Sequence, residues 1–240
     1  MKVGVLVPAR NALKWIEQLL TTVNAQTYPC AAYIVDDCSD DGMTRFLLDR
    51  PSWYRKMIRN DDRLGWPGTL NRAAELAFAD GCDAVFVAAA DDWLRLDCIE
   101  KCVHALMRHD WVIPYSQQVG AENVVQASQE NIVLEDFAVW PPLTDKAMFR
   151  REVWEKVGGY STDVGIPERP WGCAEDWDFW IKVWKAGFTD YGVIKESLYY
   201  YRMHDEQLGL GRQDVHDRTV EVLRAKHPDV WELNELRRKP

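Results

Sequence analysis

The sequence predicts an α/β fold in which a mixed, mainly parallel sheet is flanked by helices within a single compact domain. Three observations lead to this prediction. Strand-like and helix-like segments alternate along the first hundred residues, the strand segments are short apolar runs, and no internal repeat or low-complexity linker divides the 240-residue chain. Such alternation is typical of parallel strands joined by right-handed crossovers.

The first half is expected to contribute four strands. The predicted strands cover 2–7, 33–35, 56–59 and a run ending at Asp91, and the predicted helices cover 12–24, 43–49 and 69–79, with another beginning near Leu96. In open parallel sheets, ligands bind outside the carboxyl ends of the strands. The polar residues that follow each strand are therefore the first candidates for a functional site.

The second half has a different pattern, with polar stretches and aromatic segments. Residues 114–144 are mostly polar, which predicts loops and an antiparallel edge. Glycines end two of the predicted helices in this half, as is common at helix C-termini. The predicted elements are helices over 149–157, 175–186 and 214–226 and a strand over 198–203.

Composition excludes several classes of protein. A formal net charge of −9 argues against a general nucleic-acid binder, which would normally carry a basic face. The six cysteines show no metal-finger spacing, so we expect reduced thiols and a cytoplasmic protein. The chain enters a strand at once, which leaves no room for a signal peptide, and no apolar run approaches the ~20 residues that span a bilayer.

The most informative segment is the apolar run 85–90, which ends in the adjacent carboxylates Asp91 and Asp92. Two neighbouring carboxylates are costly to hold together unless they are solvated or share a cation, and hard oxygen ligands favour Mg²⁺ or Mn²⁺. An equally simple interpretation is that the pair turns the chain and caps the next helix. Both interpretations stay open on these residues alone.

Further polar clusters follow along the chain in a characteristic order. They are Pro8-Ala9-Arg10-Asn11, Val35-Asp36-Asp37-Cys38-Ser39-Asp40-Asp41-Gly42, Leu64-Gly65, Asp91-Asp92, Arg150 to Tyr160 with its Gly158-Gly159, Glu175-Asp176 and Arg202-Met203-His204. Each motif is weak alone, but the order is specific. Together these segments resemble the family 2 glycosyltransferases of the GT-A fold, a Rossmann-like class, over about residues 1–210.

This resemblance implies transfer of a sugar from a nucleotide-diphosphate donor to an acceptor hydroxyl. Asp91 and His204 would bind Mn²⁺ or Mg²⁺, which stabilises the leaving diphosphate, and Asp92 would contact the sugar or water. Asp176 would act as the general base, and direct attack would invert the anomeric centre. Simpler interpretations remain for each: Asp176 can charge a helix start, and His204 can be a satisfied surface histidine.

The resemblance also divides the chain into functional parts. Residues 1–113 would bind the nucleotide sugar, 114–212 would bind the acceptor and carry the base, and 213–240 would form a C-terminal helix and tail. A UDP-sugar is the favoured donor, whereas the acceptor stays open among carbohydrate, lipid-linked, protein and modified-nucleobase hydroxyls. The expected nucleotide contacts are Pro8, Ala9 and Arg10 along the base, Asp37 at the base edge or ribose, Arg63 at base or phosphate, and Trp66 lining the pocket.

Tryptophan is abundant, with 12 residues. Trp177, Trp180 and Trp184 recur at helical spacing, so we expect them in the core. Trp140 and Trp171 fall in predicted loops and are candidates for stacking on a sugar ring, because aromatic rings pack well on apolar sugar faces.

Two positions depart from the family pattern. Ala89 stands where the first carboxylate of the Asp-x-Asp metal motif is usual, and Leu70 replaces a frequent arginine. These departures motivate one alternative, a nucleotide-sugar-binding protein with weakened catalysis. A second alternative is a nucleotidyltransferase, but its glycine-rich phosphate loop is missing from residues 8–11.

Overall fold

The computed structural model describes residues 1–120, 123–144, 146–166, 174–204 and 213–237. Within these ranges there are nine strands and eight α-helices. The strands are β1 (Val3–Ala9), β2 (Cys30–Asp36), β3 (Lys56–Arg59), β4 (Ala84–Val87), β5 (Trp93–Leu94), β6 (Trp111–Val119), β7 (Val125–Gln126), β8 (Met148–Arg150) and β9 (Tyr191–Arg202). The helices are α1 (Ile16–Asn24), α2 (Met43–Leu48), α3 (Gly65–Ala79), α4 (Cys98–Leu106), α5 (Arg151–Val157), α6 (Glu175–Lys185), α7 (Gln213–Lys226) and α8 (Pro228–Arg237).

One mixed sheet runs through the described chain in the order β3-β2-β1-β4-β8-β6-β9-β5, and β7 pairs with β6. The first four strands are parallel, and β6 and β9 form a second parallel pair. Strand β8 runs antiparallel between β4 and β6 and so joins the two parallel parts. The predicted α/β class is confirmed.

Several boundaries in the first half differ from the prediction. Helix α1 begins at Ile16 rather than at residue 12, because the preceding residues form a turn in which the Leu13 N–H donates to Asp41. Helix α3 begins four residues earlier than predicted, because the side chain of Asp37 accepts the backbone N–H groups of Leu64 and Gly65 and so caps the first turn.

The strand predicted to end at Asp91 ends at Val87 instead. The next amide, that of Ala88, still donates to Leu6, but the amide of Ala89 donates to the hydroxyl of Tyr199. The chain therefore leaves the regular ladder before the acidic pair. This departure directs residues 89–92 towards β9.

The second half contains more sheet than predicted. Strand β6 was not predicted, because its residues 116–118 are polar and Pro114 interrupts the pattern, yet β6 pairs with β9 along nine positions with a bulge around Tyr115. Strand β9 begins at Tyr191, seven residues before the predicted start. The expected helix over 149–157 is a short strand followed by α5, and α8 is an additional helix.

Helix α6 has its predicted core role. Trp177, Trp180 and Trp184 are buried, which confirms that their spacing marks a core face. Asp178 on the same helix is also fully buried, and it accepts hydrogen bonds from Ser161 (2.5 Å) and His227 (2.8 Å). The C-terminal helices are thereby tied to α6.

The described cysteines carry free thiols, and Cys173 lies outside the described residues. Within the part of the chain that the structure describes, we found no helix with both the length and the apolar character needed to cross a bilayer.

Candidate active site

The candidate site lies where the carboxyl ends of β1, β2 and β4 meet. Ala9 closes β1 opposite Asp36 at the end of β2, and the amide of Asp37 donates to the carbonyl of Ala9 at 2.8 Å. The 88–92 segment follows β4, the neighbour of β1 on its other side. This is the edge at which open α/β sheets bind ligands.

Asp36 is fully buried at this edge. Its carboxylate accepts the Ser39 amide at 2.9 Å, the Thr44 hydroxyl, and the Arg59 guanidinium at 2.8 Å. Burial alone would raise the pKa of Asp36, but the hydrogen bonds from Ser39 and Thr44 and the Arg59 interaction lower it below its ordinary value. Asp36 is therefore an ionised anchor for the 39–44 turn.

Asp37 is also buried, and its carboxylate holds the chain that leads into α3. It accepts the Asn60 side-chain amide at 2.8 Å, the Leu64 amide at 2.7 Å and the Gly65 amide at 2.9 Å. All three bonds lie within the protein. The predicted contact of Asp37 with a base or ribose stays a prediction, and the structure shows that Asp37 shapes the loop in which Arg63 and Trp66 lie.

The second acidic pair has an asymmetric environment. The Asp92 side chain is fully buried and accepts the Tyr199 hydroxyl at 2.5 Å and the Arg202 amide at 2.8 Å, whereas the side chain of Asp91 is 30% exposed. Burial raises the pKa of Asp92 to about 7, opposed by the charge of Lys146 and reinforced by that of Asp91. The predicted contact between Asp92 and a sugar stays a prediction.

The end of β9 is fastened to this acidic segment. Besides the two bonds to Asp92, the Tyr199 hydroxyl accepts the Ala89 amide at 3.0 Å, and the Arg202 guanidinium donates to the Asp91 carbonyl at 2.8 Å. The same guanidinium lies against the rings of Trp15 and Trp93, 4.2 and 4.6 Å from their centroids. These contacts fix the direction in which the chain continues to His204.

His204 lies next to Asp91 in the structure. Its Nε2 lies 3.0 Å from the Asp91 Oδ2, and its ring lies 5.7 Å from the ring of Trp15. The side chain of His204 is 16% exposed, so it is accessible at the edge of the site. The two residues predicted as metal ligands are therefore adjacent although 113 positions separate them.

The Asp91 and His204 donors fit a divalent cation. Two neighbouring ligands of an octahedral ion at about 2.1 Å lie roughly 3 Å apart, which matches the separation of these two atoms. Among the described residues there is no cluster of three or more His, Cys, Asp or Glu side chains that could hold a metal. An ion here would take its remaining ligands from phosphate oxygens and water.

The predicted nucleotide contacts surround the ends of β1 and β2. Pro8 and Ala9 are buried in β1, and Arg10 is exposed just beyond them. Burial and the neighbouring charge of Arg10 lower the pKa of Arg63, so the two guanidinium groups are close enough to repel. The charge of the buried Asp37 opposes this shift, so the two guanidinium groups lie beside a carboxylate.

The predicted base, Asp176, is partly exposed in the first turn of α6, and one carboxylate oxygen accepts the Trp177 amide at 2.8 Å. This bond is compatible with both predicted roles, a helix-start carboxylate and a base at the mouth of the site. The buried Asp178 is committed to Ser161 and His227, so it has the environment of a structural anchor.

Two tryptophans are predicted to stack on a sugar ring. Trp140 is 61% exposed and stacks on His216 at 4.7 Å between centroids, and Trp171 lies outside the described residues.

The sequence did not single out Lys146, which the structure places beside the site. It precedes β8, whose antiparallel pairing with β4 brings it close to the 88–92 segment. A lone lysine before a short strand carries no local signal, so only the pairing of these strands reveals it.

The sequence model of the family described as Glycosyl transferase family 2 matches residues 4–166. The chain therefore belongs to glycosyl transferase family 2, and it is a glycosyltransferase. The family match also supports sugar transfer over the nucleotidyltransferase alternative.

Two bacterial proteins are similar to the chain along most of its length. A Bacillus subtilis (strain 168) protein, TuaG, whose name assigns it to teichuronic acid biosynthesis as a glycosyltransferase, is 25% identical over 237 residues, covering 92% of this chain and 87% of TuaG. The poly(ribitol-phosphate) beta-N-acetylglucosaminyltransferase TarS of Staphylococcus aureus (strain Mu50) is 24% identical over 211 residues. That match covers 84% of this chain but only 35% of TarS.

Solved structures confirm the GT-A fold. Residues 1–349 of S. aureus TarS in complex with UDP-GlcNAc superpose with a TM-score of 0.75 at 16% identity, over 98% of this chain and 71% of that one. A mannosyltransferase from Pyrobaculum calidifontis, in complex with GDP-Man and Mn²⁺, gives a TM-score of 0.61 at 21% identity, over 100% of this chain and 65% of that one.

Proposed function

We propose that the protein is a metal-dependent, inverting glycosyltransferase that moves a sugar from a nucleotide-diphosphate donor, with a UDP-sugar favoured, to an acceptor hydroxyl. The observation that carries this proposal is the 3.0 Å approach of His204 to Asp91 at the ligand-binding edge of the sheet. Two anchored residues from opposite halves of the chain offer one oxygen and one nitrogen to the same point. Such a pair suits Mn²⁺ or Mg²⁺.

The ion would be held by Asp91 and His204, and when bound it supplies Lewis-acid stabilisation of the charge that develops on the leaving diphosphate. Asp92 has a positioning role: its bonds to Tyr199 and Arg202 keep the end of β9, and hence His204, against the Asp91 segment. Pro8, Ala9 and the loop before α3, which Asp37 anchors, border the nucleotide base. Arg10 and Arg63 add positive charge on the same side.

Asp176 is proposed to accept the proton of the acceptor hydroxyl. A single carboxylate base without a positioned nucleophile supports one displacement, so the product anomer is opposite to that of the donor. The proposed division of the chain is 1–113 for the donor, 114–212 for the acceptor and base, and 213–240 as the C-terminal helix and tail.

The relatives guide the choice of donor and acceptor to test. A structural neighbour is bound to UDP-GlcNAc and another to GDP-Man with Mn²⁺, and the name of TarS specifies a poly(ribitol-phosphate) acceptor. We therefore propose UDP-sugars first, GDP-sugars second, and a carbohydrate or polyol-phosphate hydroxyl as acceptor. We also propose a cytoplasmic setting, since the described cysteines are free and such thiols persist in reducing compartments.

The decisive experiment changes Asp176 to Asn. The amide is nearly isosteric, so Asp176→Asn should keep the fold and donor binding but lose transfer by about 10²–10⁴-fold, as is typical when a general base is removed. Donor binding is measured by calorimetry, transfer by product formation, and the anomeric configuration of the wild-type product by NMR.

Matched variants make this result interpretable. Asp49→Asn alters an exposed aspartate that pairs with Arg45, and it should leave transfer unchanged. Loss of both folding and donor binding in Asp176→Asn would identify Asp176 as a helix-start residue instead. Full transfer by Asp176→Asn would move the base to Glu175, and retention of configuration would exclude the inverting mechanism.

A further inference from the structure

Lys146 is a buried cation at the edge of the proposed donor site, with only 8% of its surface exposed. The next residue, Ala147, accepts the amide of Val87 at 3.2 Å, and Met148 pairs with Phe86. The lysine therefore lies beside the point where the chain leaves β4 for Asp91 and Asp92.

Aromatic rings from two elements line the ammonium group. Its Nζ is 5.3 Å from the ring centroid of Trp66 at the start of α3, 5.5 Å from that of Tyr199 and 5.9 Å from that of Tyr201 on β9. Rings at these distances stabilise a cation by their quadrupoles. Trp66, Tyr199 and Tyr201 border the region between the loop before α3, in which Arg63 lies, and the end of β9.

The ammonium also interacts with the acidic segment. Burial raises the pKa of Asp92, and the charge of Lys146 opposes that rise, so the two groups are electrostatically coupled. Yet the Asp92 oxygens already accept short bonds from Tyr199 and Arg202. Burying an ammonium group costs free energy, and the aromatic rings and the neighbouring Asp92 carboxylate offset that cost for Lys146.

Charge counting at this edge favours an anionic ligand. The 88–92 segment carries two carboxylates, Asp91 and Asp92, and an uncharged residue, Ala89, at the position that approaches β9. Lys146 adds one positive charge next to that pair. A preorganised cation of this kind stabilises negative charge that develops on a leaving group.

We propose that Lys146 is a donor-binding residue whose ammonium contacts the terminal phosphate of the nucleoside diphosphate. This contact would add to that of the divalent cation that Asp91 and His204 would hold. This inference rests on the proposed function. It assigns to Lys146 a share of diphosphate recognition that persists when no metal is bound.

The experiment measures binding of UDP and UMP by calorimetry to wild type and to Lys146→Met, in Mn²⁺ and in EDTA. Lys146→Met should weaken UDP binding by about tenfold or more, as expected for loss of one charged hydrogen bond, in both conditions. UMP lacks the terminal phosphate, so its affinity should change far less. Lys146→Arg, which keeps the charge, should retain most of the UDP affinity.

Two further variants separate this role from a structural one. Lys195→Met removes a surface lysine that pairs with Glu130 and should bind UDP as wild type does. The double variant Lys146→Met with Asp92→Asn lacks the buried carboxylate that Lys146 would balance, and it is compared with Asp92→Asn alone. Weaker UDP binding by the double variant than by Asp92→Asn supports the contact, whereas equal binding would show that Lys146 only balances Asp92 and would overturn it.

Failure of this inference is distinguishable from failure of the proposed function. If wild type binds UDP and Lys146→Met binds it equally well, or if UDP and UMP weaken in parallel, the Lys146 contact is refuted while the donor site stands. If wild type binds neither UDP nor GDP, the donor assignment itself is refuted, and the Lys146 contact with it.

Discussion

The same Asp-Asp dipeptide occurs twice along the ligand-binding edge and has a different environment each time. After β2, both Asp36 and Asp37 are buried, and groups of the protein bond to each carboxylate. After β4, only Asp92 is buried, while Asp91 stays partly exposed and faces His204. A carboxylate pair at a strand end is therefore not in itself a ligand site.

The difference comes from what covers each pair. The end of β3 and the chain that follows it lie within 30 residues of the first pair, and they place Arg59, Asn60 and two backbone amides around it. The second pair meets the end of β9, which satisfies Asp92 and leaves Asp91 partly exposed. Long-range packing, rather than the local sequence, decides which carboxylate is available for chemistry.

The largest effect is expected from Asp37→Ala. This change leaves the amides of Leu64 and Gly65 and the side chain of Asn60 without their acceptor, and unsatisfied buried groups cost about 1–3 kcal/mol each. We expect the free energy of unfolding to fall by about 3 kcal/mol, measured by chemical denaturation. Asp49→Ala, at an exposed ion pair, should cost under about 1 kcal/mol. Equal losses in the two variants would remove the distinction between anchor and surface acid.

A smaller effect on stability but a clear effect on binding is expected from Asp91→Asn. Because Asp91 is partly exposed, its replacement should change the unfolding free energy by less than about 1 kcal/mol. UDP affinity in Mn²⁺ should fall about tenfold, a loss of about 1.4 kcal/mol, and the difference between Mn²⁺ and EDTA should disappear. Calorimetry with and without chelator measures both. If Asp91→Asn kept a metal-dependent affinity like that of wild type, the pair after β4 would be only a turn.

The smallest effect is a change in pH dependence at Asp36. Its folded-state pKa is lowered, so its contribution to stability is present above the unfolded value near 3.9 and is lost as pH falls through the folded value. Asp36→Asn should therefore make the plot of unfolding free energy against pH shallower below about pH 5. Denaturation from pH 2 to 5 measures this slope. An unchanged slope would show that Arg59 and the turn amides do not favour the ionised form.

Much of the fold could be predicted because its first half is built from local patterns. Apolar runs and helical spacing located β1, β2, β3 and the core face of α6, and strand β3 was placed at its observed bounds. Strand β6 was missed because Pro114 and three polar residues break its apolar pattern, and its parallel partner β9 is 80 positions later. Pairing over such distances leaves no periodic signal in either segment.

The candidate site was only partly predictable for the same reason. Motif order brought Asp91 and His204 to attention, and the structure shows them adjacent. The burial of Asp37 and Asp92 could not be predicted, because their partners come from elements whose approach depends on the whole sheet. The sequence pattern did not indicate Lys146 for the same reason, since its position follows from the pairing of β8 with β4.

The bond between Asp178 and His227 has a consequence for the order in which the protein matures during synthesis. The strands β1 to β4, with the helices between them, all lie within the first 87 residues, and these strands pair with one another and with β8. The helix that presents Asp176, in contrast, holds a buried carboxylate whose histidine is made 49 residues later. At about 5–20 residues per second, we expect the four parallel strands to emerge some seconds before the helix of the base is secured.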